Sequence, residues 1–405
     1  MRNKYLLIIL AAILVSCNKT SRNDAQGNDQ IEVIDLMSSG KKKVSELFSS
    51  FEIIPLETHT SSLVGLYVVK MEFYRDKIYL LNRLSSRKNI LCFDSNGKFS
   101  FVIDRIGEGP GEYAYLQDFI IDSNREELIL FCGPNESVIS LDLNGNFIKA
   151  KAKPDALSYL NQIVPLNDSA YMVYSDVNLQ PVGFNLIQLD ATSLEIKRKS
   201  DKMKEYTLDL GIFCLTYYNN NVFYYNNISD TIYNATDIDS ITPLYYINSG
   251  KDTQDAKKQF KALASKSKDR DQFIEESLNI LYDKGMKVFY SYYLNSSWVA
   301  INIFEPKERY KMEEGVSTSI IFYNKKDRKS YSSKNIVFDI FNLKDAIPEI
   351  KLIGSSDESF YLLIRDEFTE KQKAQIRQSK LTEDEKNILI NRTEEDNPIV
   401  IKMTI

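Results

Sequence analysis

The chain has 405 residues, 43% hydrophobic and 26% charged, enough apolar content for one large core, which excludes a disordered or low-complexity protein. Fifty-one Lys and Arg against 56 Asp and Glu give a net charge of -5, which leaves no electrostatic footprint for nucleic acid and argues against a polybasic membrane-surface protein. A single histidine, His59, in the polar turn Glu57-Thr58-His59-Thr60, nearly excludes His-clustered metal centres and histidine-based nucleophilic machinery, so any catalysis falls to carboxylates, Tyr, Lys or Arg.

At the start, Arg2 and Lys4 precede an apolar run from Tyr5 to Val15, too short for a mature membrane span and the right length for a secretory signal. The run ends in Leu14-Val15-Ser16-Cys17, which resembles the bacterial lipobox. That resemblance implies a signal peptide over 1–16, an acyl chain on Cys17 and an exported, lipid-anchored protein. Asn18 follows the cysteine instead of Asp, so the outer membrane is the expected address, with either leaflet open. The Asn-, Asp- and Ser-rich stretch 17–30 reads as a flexible tether.

From residue 31 onward, short runs of Ile, Val, Tyr and Phe alternate with Asn-Gly and Asp-Ser-Asn turns, the pattern of antiparallel β structure. Cys92 to Phe99 and Ser140 to Phe147 align without gaps, each placing Asn-Gly in a hairpin ahead of an aromatic. Six strand-like runs open successive units: Ile78 to Leu81, Leu128 to Phe131, Ala170 to Val173, Val222 to Tyr225, Trp298 to Ile301 and Phe360 to Leu363. Their spacing approaches the length of one four-stranded propeller blade, except where helical segments intervene. One insertion is expected over 252–284, where Phe260, Leu263, Phe273, Leu278 and Leu281 fall at helical spacing. A second is expected over 367–391, where Thr382 and Glu385 have capping-box spacing. The runs Ile31 to Leu36 and Phe51 to Leu56 are expected to complete the last blade and so leave no open sheet edge. Cys92, Cys132 and Cys214 lie in apolar strand-like stretches and read as buried thiols in preference to a disulfide pair.

Asp104-Arg105-Ile106-Gly107-Glu108-Gly109-Pro110-Gly111-Glu112-Tyr113, followed by Asp118 to Asp122, resembles the glycine-rich junction of NHL-type propeller repeats. Together with Glu395 to Val400 it is most similar to six-bladed β-propeller lipoproteins common in Bacteroidetes. The resemblance implies an all-β fold, a six-bladed β-propeller over 31–405 with helical insertions in the later blades. It carries no reaction.

The Gly107 to Tyr113 loop is the distinctive stretch, with Arg105, Glu108, Glu112 and Tyr113 as candidate ligand-binding residues on an inter-blade loop. Its structural reading is a crossover whose glycines serve tight turns and whose Arg105 and Glu112 pair across blades. Asp94-Ser95-Asn96-Gly97 and Asp142-Leu143-Asn144-Gly145 superficially resemble calcium loops, but neither has the bidentate Glu of an EF-hand, and hairpin chemistry explains both. No metal ligand is therefore assigned. Most of the 25 Tyr and 21 Phe belong to packing, with Tyr217-Tyr218 before three asparagines as a loop candidate.

The leading reading is a membrane-anchored, non-catalytic binding or scaffold module that presents one ring face to a glycan, peptide or partner protein of the envelope. The alternative is a carboxylate-based hydrolase or lyase on the same face, with a divalent cation such as calcium in the central channel. A third, a structural partner of an outer-membrane complex, predicts an exposed apolar patch on the insertion between Phe260 and Leu281.

Overall fold

The computed structural model describes residues 31–37, 40–65, 67–84, 87–133, 137–154, 157, 160–175, 186–200, 213–225, 229–267, 270–306, 316–347 and 350–405. The signal segment, Cys17 and the tether lie outside the described residues. Val33–Ile405 form one compact unit, built mostly of small antiparallel sheets.

Six sheets follow one another along the described chain, five of four strands and the fourth of five, each carrying four strands hydrogen-bonded in up-and-down order. The first runs through Tyr67–Tyr74, Lys77–Leu84, Arg87–Asp94 and Phe99–Ile103, and the second through Leu116–Asp122, Glu127–Cys132, Ser137–Asp142 and Phe147–Ala152. The third holds Gln162–Asn167, Ala170–Tyr174, Leu186–Asp190 and Ile196–Lys199, and the fourth Leu215–Tyr218, Asn221–Tyr225, Thr231–Asn234 and Thr242–Asn248. The fifth holds Val288–Leu294, Trp298–Pro306, Val316–Asn324 and Lys329–Ser332. The sixth joins Ile350–Ser355, Ser359–Ile364 and Ile399–Thr404 to Ser50–Pro55 from the other end of the chain, in register from Ile399 opposite Pro55 to Thr404 opposite Ser50. None of these sheets closes on itself.

Three expectations change. The six apolar runs do not open their sheets; each lies in the second strand, because a polar-bearing strand precedes it. Of the two early runs, only Ser50–Pro55 completes the sixth sheet. Glu32–Asp35 instead adds a fifth strand to the fourth sheet beside Thr242–Asn248, with Leu36 N donating to Asn248 O at 3.1 Å. The first insertion forms helices Lys251–Lys266 and Arg270–Asp283, but Phe260, Phe273 and Leu281 are buried against the fourth and fifth sheets, so they present no exposed apolar patch. Burying these faces is what holds the hairpin of helices on the sheets. No described helix is long and apolar enough to cross a membrane.

The second insertion forms helices Glu370–Arg377 and Glu383–Asn391, each opened by a capping box, Thr369 with Gln372 and Thr382 with Glu385. In the first two sheets the Asn-Gly hairpins place Gly97 at φ +86° and Gly145 at +82°. Asp94 Oδ1 accepts from Asn96 N and Lys98 N, and Asp142 Oδ1 from Asn144 N and Asn146 N, so both carboxylates close turns. Cys92, Cys132 and Cys214 are buried and form no disulfide with one another.

Polar side chains link each sheet to the backbone of the next. Lys70 Nζ of the first sheet donates to Phe119 O of the second at 2.7 Å, and Asp118 Oδ2 of the second accepts from Ile163 N of the third at 2.9 Å. Gln162 of the third pairs with both backbone groups of Leu215 in the fourth, at 2.6 and 2.8 Å. Thr216 Oγ1 donates to Tyr292 O of the fifth at 2.7 Å, Asn302 pairs with both backbone groups of Leu352 in the sixth at 2.7 and 3.1 Å, and Lys351 Nζ donates to Val68 O of the first at 3.1 Å. These bonds satisfy backbone groups that strand pairing inside a sheet leaves over.

Candidate functional site

The leading strands of the first, second, fifth and sixth sheets each carry a bulge, between Val68 and Lys70, Leu116 and Asp118, Phe289 and Ser291, and Leu352 and Gly354. A bulge re-aims the side chains beside it, and Lys70, Glu72, Asp118 and Lys351 lie beside three of these four. Lys70 Nζ lies 3.3 Å from Glu72 Oε1 and 3.4 Å from Asp118 Oδ1, with the Phe119 ring 5.4 Å away. Burial opposes the Lys70 charge, but Asp118 and Glu72 outweigh it and hold the ammonium above its ordinary pKa. Asp118 is 2% exposed and also accepts from Phe119 N at 2.8 Å.

Glu72 differs from Asp118. Its side chain is 40% exposed, yet the surrounding protein raises its pKa by desolvation more than Lys70 lowers it. Tyr293 of the fifth sheet lies close enough for the Glu72 charge to add to burial in raising its phenol. From the sixth sheet, Lys351 Nζ donates to Val68 O and lies 5.6 Å from the Tyr290 ring. Burial first, and the Arg365 charge second, lower Lys351 to about 8. The leading strands of four sheets thus carry ionic and hydrogen-bonding groups here: Lys70 and Glu72, Asp118, Tyr290 and Tyr293, and Lys351.

Sequence reasoning did not reach these residues, which lie up to 281 positions apart in the chain. The legible signal was Lys70 and Glu72 alternating inside the apolar run Val68 to Phe73.

The loop expected to bind ligand is drawn inward on itself. Ile106 and Tyr113 form a parallel bridge, Tyr113 N donates to Arg105 O at 2.9 Å, and Gly107 N donates to Tyr113 O at 3.1 Å. Tyr113 is 1% exposed and its hydroxyl donates to Ile103 O at 3.3 Å. Arg105 Nη2 donates to Gly145 O at 2.9 Å, while Glu112 Oε2 accepts from Gly109 N at 2.8 Å, so the two do not pair with each other. Glu112 packs over Gly107, where a Cβ would collide with its carboxylate. Glu108 is exposed.

Tyr217 and Tyr218 end the strand Leu215–Tyr218 and do not form a loop; the turn belongs to Asn219 and Asn220, at φ +47° and +58°. His59 stays at the surface, its ring 6.3 Å from that of Phe99. Among the described residues, no three His, Cys, Asp or Glu side chains are grouped to hold a metal ion.

Residues 29–404 match the family described as Domain of unknown function (DUF4934). Among solved structures, the chain is similar to a presumed exported protein from Bacteroides fragilis, with a TM-score of 0.64 at 16% identity over 93% of this chain and 99% of that one. It is also similar to a member of the DUF4221 family from Bacteroides vulgatus, with a TM-score of 0.52 at 11% identity over 88% and 96% of the two chains. A weaker likeness, TM-score 0.36 at 9% identity over 73% and 74%, is to the Pan2 WD40 domain of Neurospora crassa. Among curated proteins none matches the sequence. The fold is propeller-like, and these likenesses carry no activity.

Proposed function

The chain belongs to the DUF4934 family, and from that premise we propose that it is an exported cell-envelope module: a six-bladed β-propeller, lipid-anchored at the outer membrane through Cys17. Its channel mouth binds a glycan, peptide or partner protein without turning it over. The relay of side-chain bonds from each sheet to the next, returning from Lys351 to Val68, supports six blades arranged in a ring. The observation that carries the binding role is the cluster of Lys70, Glu72, Asp118, Lys351, Tyr290 and Tyr293 on the leading strands, where propeller blades face their channel. Glu72 and Asp118 share the Lys70 ammonium, an arrangement that supports recognition over acid-base chemistry.

The test is a thermal-shift screen of the protein against envelope glycans, peptides and calcium, repeated on Glu72→Gln. A ligand that raises the melting temperature of the wild type but not of the variant supports the channel mouth as the site. An equal shift in both removes the channel from the reading, and measurable cleavage of the ligand removes the non-catalytic assignment. The anchor is tested separately: Cys17→Ala is expected in the soluble fraction, and its retention in membranes after carbonate washing overturns lipidation.

A further inference from the structure

A cleft at the outer edge of the sixth sheet, away from the leading strands, holds polar groups that the fold does not use. It lies between the hairpin at Asn96, Gly97 and Lys98 and the C-terminal end of the helix Glu383–Asn391, and has a volume of about 570 Å³. Cavities of roughly 300–1,000 Å³ are the size of small-ligand sites. Arg392, the residue that ends the helix, lines it and is 7% exposed. Its Nε donates to Asn397 O at 3.2 Å and its Nη2 to Asp396 O at 3.4 Å, but its Nη1 is buried without a hydrogen-bond partner. A buried guanidinium nitrogen with nothing to donate to is costly, and native structures rarely leave one so.

The carboxylates beside the cleft do not complete it. Asp396 Oδ2 accepts from Thr393 N and Oγ1 at 2.8 and 3.0 Å, and its Oδ1 accepts from Thr58 Oγ1 at 3.3 Å. Glu57 Oε2 accepts from Phe99 N at 2.8 Å. Asn96, Lys98, Asn387 and Asn391 also line the cleft, and all four are exposed. Asn387 and Asn391 are four residues apart on the helix and so share a face. The set thus comprises a buried donor needing an acceptor, a second cation, and three amides, each of which donates and accepts at once.

We propose that this cleft is a second binding site, for a carboxylate-bearing saccharide of the uronic-acid type. The carboxylate accepts from Arg392 Nη1 and Lys98 Nζ, and the amides of Asn96, Asn387 and Asn391 pair with ring hydroxyls, which likewise donate and accept. Asp396, Asp366 and Glu367 already balance the Arg392 charge, so what the ligand supplies is an acceptor for Nη1 and a charge for Lys98; a neutral sugar leaves Lys98 without that charge, and a bare anion leaves the amides unused.

The test is calorimetric titration of the full, detergent-solubilised chain with trigalacturonate, with galactotriose as the uncharged comparison. Saturable binding of trigalacturonate, at least about tenfold tighter than galactotriose, is expected, corresponding to about 1.4 kcal/mol. Arg392→Gln removes the buried donor but also releases the Asn397 and Asp396 carbonyls, so the deciding variant is Lys98→Ala with Asn391→Ala, both at exposed positions. That double variant is expected to melt at the wild-type temperature and bind trigalacturonate about tenfold more weakly or worse. Absence of saturable heat up to about 10 mM, equal affinity for galactotriose, or undiminished affinity of the double variant each overturns the proposal. Because these groups lie off the leading strands, Glu72→Gln is expected to leave the titration unchanged; loss of binding in that variant would also count against a separate site.

Discussion

Lys351 is a part-buried ammonium that donates to the Val68 carbonyl and faces the ring of Tyr290, and it carries a consequence for pH. Its pKa of about 8 in the folded chain lies below the ordinary 10.5. Between those values the unfolded chain keeps a proton that the folded chain has released, so stability rises with pH across that window. The buried phenols of Tyr290 and Tyr293 are raised above their ordinary 10 and act in the opposite direction only beyond it. The melting temperature of the wild type is therefore expected to climb from about pH 7.5 to about pH 9.5 relative to Lys351→Met, which lacks the titrating group. Parallel curves for the two proteins would show that Lys351 is not desolvated. At this scale little was legible in the sequence. Gln162 and Asn302 stand in apolar strands as isolated amides, and only the fold reveals that each spans two backbone groups of the neighbouring sheet.

Two hairpin and loop glycines separate backbone constraint from side-chain packing at the scale of the element. At Gly97, φ is +86° and a Cβ would meet the Pro55 carbonyl, a group fixed in the last strand of the sixth sheet. At Gly107 the obstruction is the Glu112 carboxylate, the far end of a flexible side chain. Gly97→Ala is expected to cost about 2 kcal/mol or more in urea unfolding, and Gly107→Ala about 1 kcal/mol or less. Equal losses would place the Glu112 contact on the same footing as backbone. The Asn-Gly hairpins and the Thr382 capping box were readable because turn and cap chemistry is local. The leading strands were not. Lys70, Glu72, Asp118 and Gln162 interrupt their apolar runs and bulges break their alternation, whereas the second strands, covered on both faces, read as continuous apolar segments and were mistaken for the first.

For the whole molecule, the 48-residue offset between the Asp94 and Asp142 turns revealed a repeated sheet, and the run at Phe51 revealed the strand that completes the sixth one. The placement of Glu32–Asp35 in the fourth sheet had no sequence signal, because an edge strand with one buried residue, Ile34, resembles any short apolar run. The two N-terminal strands therefore predict different truncations. A chain beginning at Lys41 loses only the added edge strand and is expected to elute as a folded monomer with a lowered melting temperature. A chain beginning at Glu57 exposes the edge of Ile399–Thr404, where Val400 and Ile401 are fully buried, and is expected to aggregate on size-exclusion chromatography. A soluble, cooperatively melting chain from Glu57 would show that the sixth sheet stands without its fourth strand.

The pairing of Ser50–Pro55 with Ile399–Thr404 also governs when the protein can finish folding. Lys402 and Glu52 face each other across it although 350 residues separate them in the chain. During synthesis the earlier strand is made first and must wait, unpaired, until Ile399–Thr404 has emerged. Contacts this distant make the final step slow, since the ends of a very long loop must meet before any gain is realised. A nascent chain in that state stays unlatched and threadable through a narrow passage, and it locks only once both strands have arrived on one side.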